Sequence, residues 1–578
     1  MANEDSPRET AEEAIPEQGT APAEPTGAAE AAAPDAETMR DLEAMRDLDE
    51  MSEEEPEPEL DRGWKCFFAF LLISPVLFIN VGIDNDIWFL LNSGRYVLAN
   101  GIPHVEPFTM HANMHFVMPQ WLSAVLYWKL HLLGGDTAIK LFVLAVYALI
   151  IVGLFTLCML VSRRHILVSF CVTMAASLVI ADFVKTRPQV ISALILVIEL
   201  NLLEAYIRKK NWRYLIGLPV LSLAMINFHA SMWIMLFIMI APYFVNAIPF
   251  KLGRFEQQGY PILPLFIATA AMFGAGFLNP YGLEAMTYLF RSYGYSEIST
   301  YINEMLPPNV NSAIGRWFFL CLLLPYLGYY LHRGRKIHLR YLLLTLGLTY
   351  MGLSSVRSIL LFGVGAVFPL ASYYNDLPRT FQPAFAGGKL LERARYAMAA
   401  LIMAAVCIGT AYYGTTFTSA QATASSAGAV RYLLGLVDDP SSVNVYTSYN
   451  DGDYVEYMGF KCYIDARAEV FVKKNNQTKD IMREYYQLQK GRLAYQTFLL
   501  YYNFNYLIVP KYDIMYVYFK MDHNYESVYS DDHCSVYVQS NGPEAALAEA
   551  YNAKQSNEKK ALGDGLNRVE QIENNLLP

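Results

Sequence analysis

Apolar runs long enough to cross a lipid bilayer recur along most of this chain of 578 residues. A transmembrane helix needs roughly 20 apolar residues, and one soluble domain has no interior that could bury so many runs of this length. The sequence therefore predicts an α-helical polytopic membrane protein with about 11 transmembrane helices. The predicted spans lie at about 66–83, 138–161, 166–182, 190–206, 214–228, 231–248, 261–278, 313–331, 341–355, 358–374 and 397–416.

Charge is distributed unevenly along the chain. Residues 1–61 contain 21 acidic and 3 basic residues and are rich in Ala, Glu and Pro, a composition typical of a disordered tail. In the loops between the predicted spans, Lys and Arg are more than twice as frequent on the side of this tail as on the other side. Because cytoplasmic loops carry the excess of basic residues, we expect a multi-pass protein of the cell membrane with a cytoplasmic N-terminus. An odd number of spans then places the chain after residue 416 outside the cytoplasm.

The predicted domains follow from these two patterns. A transmembrane domain covers 62–416, and its long first outer loop covers 84–137. An extracytoplasmic α/β domain covers 417–542, and 543–578 form a polar C-terminal tail. In the α/β domain, strands are predicted at 443–446, 460–464, 506–509 and 535–538, and helices near 426–437, 478–488 and 491–503. The second to fifth outer loops lie at about 182–189, 227–230, 279–312 and 354–358.

The first outer loop begins with an acidic pair, Asp84 and Asp86, followed by Trp88. In an extended chain, residues i and i+2 point to the same side, so the two carboxylates can face one site together. A carboxylate at the edge of a bilayer suits a general base, because burial raises its pKa. The alternative is that the pair only caps the helix that follows.

Basic side chains occur in three other outer loops. The second contains Lys185 and Arg187, the fourth contains Arg291 and the fifth contains Arg357. A guanidinium can bind a phosphate through two parallel hydrogen bonds, so these residues are candidates for binding a lipid phosphate. The alternative is that they extend to the lipid head groups.

The third outer loop contains His229, at the end of an apolar run. A histidine there either reaches an outer cavity, where it would contact an acceptor or a metal ion, or is buried with its hydrogen bonds satisfied. The sequence leaves a requirement for a divalent cation open.

Ionisable residues within the predicted spans are nearly absent. Charges inside the membrane are typical of ion-coupled transporters and proton relays. Their scarcity favours a site at the outer membrane surface and argues against an ion-coupled transporter.

The order of short motifs along the chain resembles that of a large group of bacterial membrane proteins. The motifs are Asp84-Asn85-Asp86-Ile87-Trp88, Gly94-Arg95, Gly101-Ile102-Pro103, Pro107-Phe108, Gln120-Trp121-Leu122, Arg187-Pro188-Gln189, Asn227-Phe228-His229, Asn279-Pro280-Tyr281-Gly282 and Tyr463-Ile464-Asp465-Ala466-Arg467. Over roughly residues 66–540, this group is similar to membrane glycosyltransferases of the GT-C class, which are related in architecture to protein O-mannosyltransferases and oligosaccharyltransferases.

The resemblance implies a GT-C-like transferase that takes a sugar from a polyprenyl-phosphate or polyprenyl-diphosphate donor on the outer face. The acidic pair of that class maps onto Asp84 and Asp86, which we expect to be catalytic. Residues of the matching outer loops are expected to bind substrate: Trp88, Gln120, Lys185, Arg187, His229, Arg291 and Arg357. Two positions depart from the related proteins, which often have a histidine where this chain has Leu90 and an acidic residue where it has Gln120.

We therefore expect a membrane glycosyltransferase that moves a sugar from a polyprenyl-phosphate-linked donor to a glycan or protein acceptor of the cell envelope. Membrane lipids are expected partners and nucleic acid is not. Two alternatives keep the fold without this chemistry: a non-catalytic lipid-binding or scaffold protein of envelope assembly, and a transporter of lipid or oligosaccharide. The sugar, the acceptor and the oligomeric state do not follow from the sequence.

Overall fold

The computed structural model describes residues 62–557 apart from 80, 254, 258, 293–294, 296–297, 299–301, 332–336 and 374–423, together with residues 568 and 571. The predicted acidic tail (1–61) and the predicted last span (397–416) lie outside these residues. The described residues after Arg62 pack into one unit.

The N-terminal two thirds of the described chain is almost entirely helical. Its helices are α1 (Arg62–Phe78), α2 (Ile87–Asn100), α3 (Trp121–Val161), α4 (Ile166–Ile180), α5 (Gln189–Lys209), α6 (Gly217–Phe228), α7 (Trp233–Ala247), α8 (Ile262–Ala275), α9 (Leu283–Met286), α10 (Leu289–Ser292), α11 (Ala313–Leu331), α12 (Leu339–Ser354), α13 (Ile359–Gly365) and α14 (Leu370–Tyr373). A short antiparallel hairpin, β1 (Phe250–Leu252) and β2 (Phe255–Gln257), follows α7.

Each predicted span within the described residues coincides with one or more of these helices. Five helical segments are long and apolar enough to cross a membrane: Trp121–Val161, Ile166–Phe183, Gln189–Lys209, Ala230–Ala247 and Val356–Tyr373. These helices confirm the prediction of a polytopic helical membrane protein, whereas the number of about 11 spans stays a prediction.

Helix α3 contains a break between its amphipathic first part and its apolar second part. Gly134 (φ −171°, ψ 28°) and Gly135 (φ 57°, ψ −148°) leave helical geometry, and the positive φ of Gly135 is one that glycine adopts without steric cost. The break lies between the amphipathic run that begins at Trp121 and the predicted span that begins at residue 138. The first part of α3, which belongs to the first outer loop, can therefore take a direction different from that of the predicted span.

Two carboxylates lie inside α5, so the expectation that the spans contain almost no ionisable residues does not hold for this helix. Glu204 is fully buried and accepts hydrogen bonds from Arg340 Nε and from the hydroxyl of Tyr341, each at 2.9 Å. Glu199 is also fully buried, and neither of its carboxylate oxygens has a hydrogen-bond partner among the described residues. Single glutamates escape notice in a long apolar run because they change its mean hydropathy little.

The C-terminal part is an α/β domain. Its helices are α15 (Ala427–Leu436), α16 (Gly452–Tyr457), α17 (Lys473–Asn476), α18 (Ile481–Gln489), α19 (Tyr495–Tyr502), α20 (Ile514–Met521) and α21 (Pro543–Asn557). Its strands are β3 (Asn444–Tyr446), β4 (Lys461–Cys462), β5 (Tyr506–Pro510), β6 (Tyr525–Ser530) and β7 (Cys534–Gln539). They form one sheet in the order β4-β3-β5-β7-β6, in which β4, β3 and β5 are parallel and β7 runs antiparallel to both of its neighbours. Helix α21 packs against β6 and β7.

The C-terminal domain packs directly on the first outer loop. Trp88 lies against Tyr454 and Tyr457, with 5.0 Å between ring centroids in both pairs. Arg467 Nη2 donates to Glu106 of the first outer loop at 3.0 Å, and both side chains are buried. These contacts hold the domain over the segment that carries the acidic pair.

Candidate active site

The described residues enclose a cavity of about 450 Å³ between the outer loops and the C-terminal domain. Five predicted site residues line it: Asp86, Gln120, Arg187, His229 and Arg357. The C-terminal domain contributes charged and aromatic side chains, which we call the roof residues: Tyr449, Arg467, Glu469, Tyr485 and Tyr486. Loops far apart in the sequence therefore meet at one concave surface, as is usual for small-molecule sites.

Arg187 holds three carboxylates at one side of this cavity. Its guanidinium lies 2.9 Å from Asp84 (Nη2–Oδ2), 3.1 Å from Asp86 (Nε–Oδ2) and 2.7 Å from Glu304 (Nη1–Oε1). The buried hydroxyl of Tyr127, on α3, donates to the carbonyl of Arg187 at 3.1 Å and fixes this loop. We call Arg187 and its three carboxylates the Arg187 cluster.

Asp86 does not act as a helix cap. It precedes the first residue of α2, yet its side chain makes no capping hydrogen bond. The carboxylate instead contacts Arg187 and lines the cavity. The alternative interpretation of the acidic pair, a cap for the following helix, does not describe this side chain.

The two aspartates differ in acidity. Burial raises the pKa of Asp86 to about 6: the charge of Arg187 opposes this rise, and the charges of Asp84 and Glu304 add to it. Burial also acts to raise the pKa of Asp84, but the charge and hydrogen bond of Arg187, together with Lys185, outweigh it and hold that pKa below its usual range. Asp84 is therefore ionised throughout the neutral range, whereas Asp86 can exchange a proton there.

Arg357 lines the cavity from the turn Val356–Ser358, which follows α12. The amide of Val356 donates to the carbonyl of Leu306 at 2.9 Å and so ties the fifth outer loop to the fourth. No hydrogen bond or ion pair to the guanidinium of Arg357 is found in the part of the chain that the structure describes. A guanidinium in this position is available to an anionic ligand.

His229 is a buried, hydrogen-bonded histidine that also lines the cavity. Its Nδ1 lies 2.7 Å from the hydroxyl of Ser192, and the amide of Ala230 donates to the carbonyl of Pro119 at 2.7 Å. Burial, together with the nearby charge of Arg357, lowers the pKa of His229 to about 3. The ring is therefore neutral at physiological pH and offers hydrogen bonds without charge.

Four predicted site residues lie outside the cavity lining: Asp84, Trp88, Lys185 and Arg291. Asp84 contacts Arg187 as a member of the Arg187 cluster. Trp88 packs on the C-terminal domain instead. Lys185 is half exposed, and its Nζ lies 3.9 Å from the nearest carboxylate of the Arg187 cluster. Arg291 donates to Glu284 at 3.0 Å and lies over the ring of Tyr288, 5.8 Å from its centroid. Since Tyr288 lines the cavity, Arg291 contacts a lining residue without lining the cavity itself.

The two positions at which the chain departs from the related proteins both line the cavity. Leu90 presents an aliphatic side chain and Gln120 a neutral amide. Neither can exchange a proton in the neutral range. Acid–base chemistry on this side of the cavity therefore depends on the Arg187 cluster.

The sequence interpretation missed Glu304 and most of the roof residues. Glu304 lies on the turn Asn303–Met305, in an irregular loop whose approach to Arg187 only the tertiary structure reveals. Arg467 pairs with Asp465, to which its Nε donates at 3.0 Å. Arg467 also lines the cavity, and its buried Nη1 has no hydrogen-bond partner within the described ranges. The tyrosine-rich composition of 449–486 was the one available signal for an aromatic surface.

The Arg187 cluster does not fit a divalent cation as it is arranged. Carboxylate oxygens are the preferred ligands of Mg²⁺ and Ca²⁺. Here the guanidinium of Arg187 already lies within hydrogen-bonding distance of all three carboxylates and neutralises part of their charge. Within the described residues, no group of three or more His, Cys, Asp or Glu side chains is arranged to hold a metal ion.

Comparison with known proteins identifies the fold. No protein-family model and no curated protein sequence matches the chain. An oligosaccharyltransferase of Archaeoglobus fulgidus, solved with a tethered acceptor peptide, has a TM-score of 0.52 at 12% identity and covers 78% of this chain and 69% of that chain. AglB of the same organism, solved with an inhibitory peptide and dolichol-phosphate, has a TM-score of 0.50 at 11% identity, with 77% and 69% covered. ArnT from Cupriavidus metallidurans, bound to undecaprenyl phosphate, has a TM-score of 0.47 at 12% identity, with 83% and 98% covered.

At these identities the likeness concerns the fold. The fold resembles that of GT-C class glycosyltransferases, as the order of the sequence motifs predicted. The chain is thus a membrane protein of GT-C-like architecture.

Proposed function

We propose that the protein is a membrane glycosyltransferase that moves a sugar from a polyprenyl-phosphate-linked donor to a glycan or protein acceptor of the cell envelope, on the outer face of the membrane. The observation that carries this proposal is that Asp86 and Arg357 line one cavity. The first is a carboxylate that can exchange a proton near neutral pH, and the second is a guanidinium without a partner among the residues that the structure describes. AglB, which shares the fold, binds dolichol-phosphate, and this supports a lipid-linked donor.

The reaction needs a base for the acceptor and a cation for the leaving phosphate. An acceptor O–H beside Asp86 gives its proton to the carboxylate while its oxygen attacks the anomeric carbon of the donor sugar. The bond from that carbon to the phosphate oxygen breaks, the electron pair stays on that oxygen, and Arg357 stabilises the resulting charge. Arg187 is a positioning residue, because it holds Asp86 in place and keeps Asp84 ionised.

The remaining parts of the chain have supporting roles in this proposal. The transmembrane domain (62–416) anchors the outer loops that carry the reacting groups. The extracytoplasmic domain (417–542) covers the cavity and presents the acceptor, consistent with the acceptor peptide bound by the oligosaccharyltransferase of the same fold. The acidic tail (1–61) stays in the cytoplasm.

The test measures release of polyprenyl phosphate from a polyprenyl-phosphate sugar by the purified full-length protein in nanodiscs, with water or an envelope extract supplying the acceptor. We expect Asp86→Asn to lower turnover by about 100- to 10,000-fold and to leave donor binding intact, because it removes the base alone. Asp182→Asn, at an exposed aspartate of the second outer loop, is the matched control and should turn over like wild type. Full turnover by Asp86→Asn would contradict the proposal, and binding without turnover in the wild type would favour the lipid-binding scaffold.

A transporter is the second candidate function, and one observation favours it. Glu199, inside α5, is a fully buried carboxylate without a hydrogen-bond partner in the part of the chain that the structure covers, and such groups mark ion pathways in transporters. Replacement of Glu199 by Gln separates the two functions. A transporter would lose lipid or oligosaccharide movement in proteoliposomes, whereas a transferase would keep its release of polyprenyl phosphate.

A further inference from the structure

The cavity lining contains few positive charges that a ligand could use. The lining residues of the described chain include three arginines, Arg187, Arg357 and Arg467, and no lysine. Arg187 is committed to its three carboxylates. Arg467 is committed through Nε and Nη2 to Asp465, Glu106 and Glu456. Among the described lining residues, the guanidinium of Arg357 is therefore the one that can bind an anion with all of its donors.

The negative charges of the lining act against a ligand with more than one charge. Asp86, Glu304 and Glu469 all contribute to the lining. A lipid phosphodiester carries one negative charge, which one guanidinium neutralises through two hydrogen bonds. A lipid diphosphate carries about two and would need a second cation, which the Arg187 cluster does not accommodate.

The sugar-binding side of the cavity is formed by the roof residues and Tyr288. Tyrosine rings offer flat apolar faces with a polar edge, and pockets of this composition bind ring-shaped polar ligands. Within the described part of the chain, the buried Nη1 of Arg467 lacks an acceptor, and a buried donor left unpaired costs free energy that a ligand oxygen would recover. A sugar hydroxyl below the roof residues supplies such an oxygen.

The size of the cavity limits the length of the glycan. Its volume of about 450 Å³ lies in the lower part of the range found for small-molecule sites. One phosphate with one hexose is within the size of ligand that such a cavity holds. A glycan of about seven sugars is too large to be enclosed in it and would extend into solvent.

We propose that the donor is a monosaccharide on a polyprenyl monophosphate, with the phosphate on Arg357 and the sugar under the roof residues, rather than an oligosaccharide on a diphosphate. This assignment rests on the proposed function. It names the substrate class of the same cavity, and it gives Arg467 and the tyrosines a part in sugar recognition.

The test compares four probes on the full-length protein in nanodiscs, by ligand-dependent thermal stabilisation with and without Mg²⁺. The probes are undecaprenyl monophosphate, undecaprenyl-monophosphate glucose, undecaprenyl diphosphate and an undecaprenyl-diphosphate heptasaccharide. We expect the monophosphate glucose to bind at least about tenfold more tightly than the diphosphate heptasaccharide, and more tightly than the bare monophosphate.

Two variants test where the phosphate and the sugar of the ligand bind. Arg357→Gln should weaken both monophosphate probes by about 10- to 100-fold, since it removes a charge-assisted contact. Tyr486→Leu should lose the advantage of the glucose-bearing probe and keep the affinity for the bare monophosphate. Arg316→Gln is the control, because this exposed arginine in the first turn of α11 donates to carbonyls of the preceding loop, including that of Asn311 at 2.9 Å.

The outcomes separate this assignment from the proposed function. Tighter binding of the diphosphate heptasaccharide would overturn the donor assignment and leave a lipid-linked transferase. Binding of none of the four probes would overturn both. Unchanged affinities in Arg357→Gln would overturn the placement of the phosphate.

Discussion

Glu304 accepts a hydrogen bond from Arg187 at 2.7 Å, although the two residues are 117 positions apart and lie on different outer loops. The contact completes a group in which one guanidinium faces three carboxylates. Replacing Arg187 by Gln leaves these carboxylates without their cation, and we expect the free energy of unfolding to fall by about 3 kcal/mol. Thermal and denaturant unfolding of the purified protein measure this loss.

A second substitution shows whether the loss is electrostatic. In the Arg187→Gln background, Asp84→Asn removes one of the repelling charges, so we expect it to restore about 1 kcal/mol. The same substitution in wild type should be destabilising, since it breaks an existing ion pair. A double variant no more stable than Arg187→Gln alone would mean that the carboxylates are not coupled through Arg187.

The raised pKa of Asp86 predicts how turnover depends on pH. The base is the ionised carboxylate, so its active fraction is complete well above pH 6 and falls as the pH drops through about 6. We expect kcat/KM to decrease about tenfold for each pH unit below that value and to stay level above it. A profile whose acid limb lies near pH 4 would show that the base is an exposed carboxylate elsewhere.

An acid limb near pH 6 would ordinarily be attributed to a histidine, and His229 lines the same cavity. Its pKa of about 3 keeps the ring neutral over the whole range of the experiment. We therefore expect His229→Gln to change the height of the pH profile and to leave the position of its acid limb unchanged. Disappearance of the limb in this variant would assign the titration to His229.

Trp88 was expected from the sequence to contact substrate, and its position in the structure predicts a different effect. Its ring is largely buried against Tyr454 and Tyr457. Trp88→Ala should lower the free energy of unfolding by about 3–5 kcal/mol, and Trp88→Phe by less, while the folded fraction keeps the wild-type KM for the donor. A raised KM with unchanged stability would restore the substrate-binding role.

The arrangement of the Arg187 cluster makes a prediction about metal ions. Because the guanidinium of Arg187 lies between carboxylates that would otherwise suit a hard cation, we expect EDTA to leave turnover within about twofold of its untreated value. Mg²⁺ or Mn²⁺ added afterwards should have no further effect beyond that of ionic strength. Loss of turnover with EDTA, followed by recovery with one of these ions, would show that a metal ion replaces the guanidinium of Arg187 between the carboxylates.

Periodicity and composition were sufficient to predict most of the helical part of this fold. Long apolar runs have few alternatives to a membrane helix, so the segments from 66–83 to 358–374 are helical where they were expected. The strands β3, β4, β5 and β7 also coincide with the short apolar runs of the C-terminal domain. Strand β6 was missed because its residues are mostly polar and partly exposed, which leaves no apolar signal.

The site was predictable only in part. Asp86, Arg187 and Arg357 stand out because charged residues are rare beside apolar runs, and all three line the cavity. Glu304 does not stand out in a polar loop, and the sequence contains no information that links it to Arg187. The sequence also did not determine the role of Trp88. An aromatic ring beside an acidic pair can contact a substrate or form a domain interface equally well.

The Trp88 contacts and the roof residues also determine when the cavity can exist during protein synthesis. Ribosomes complete Asp86 and Arg187 well before Tyr485 and Tyr486. A nascent chain therefore carries the Arg187 cluster without the roof residues for the time needed to make about 300 further residues, at roughly 5–20 residues per second. The cavity is complete only after the α/β domain has been translated, because that domain supplies the roof residues.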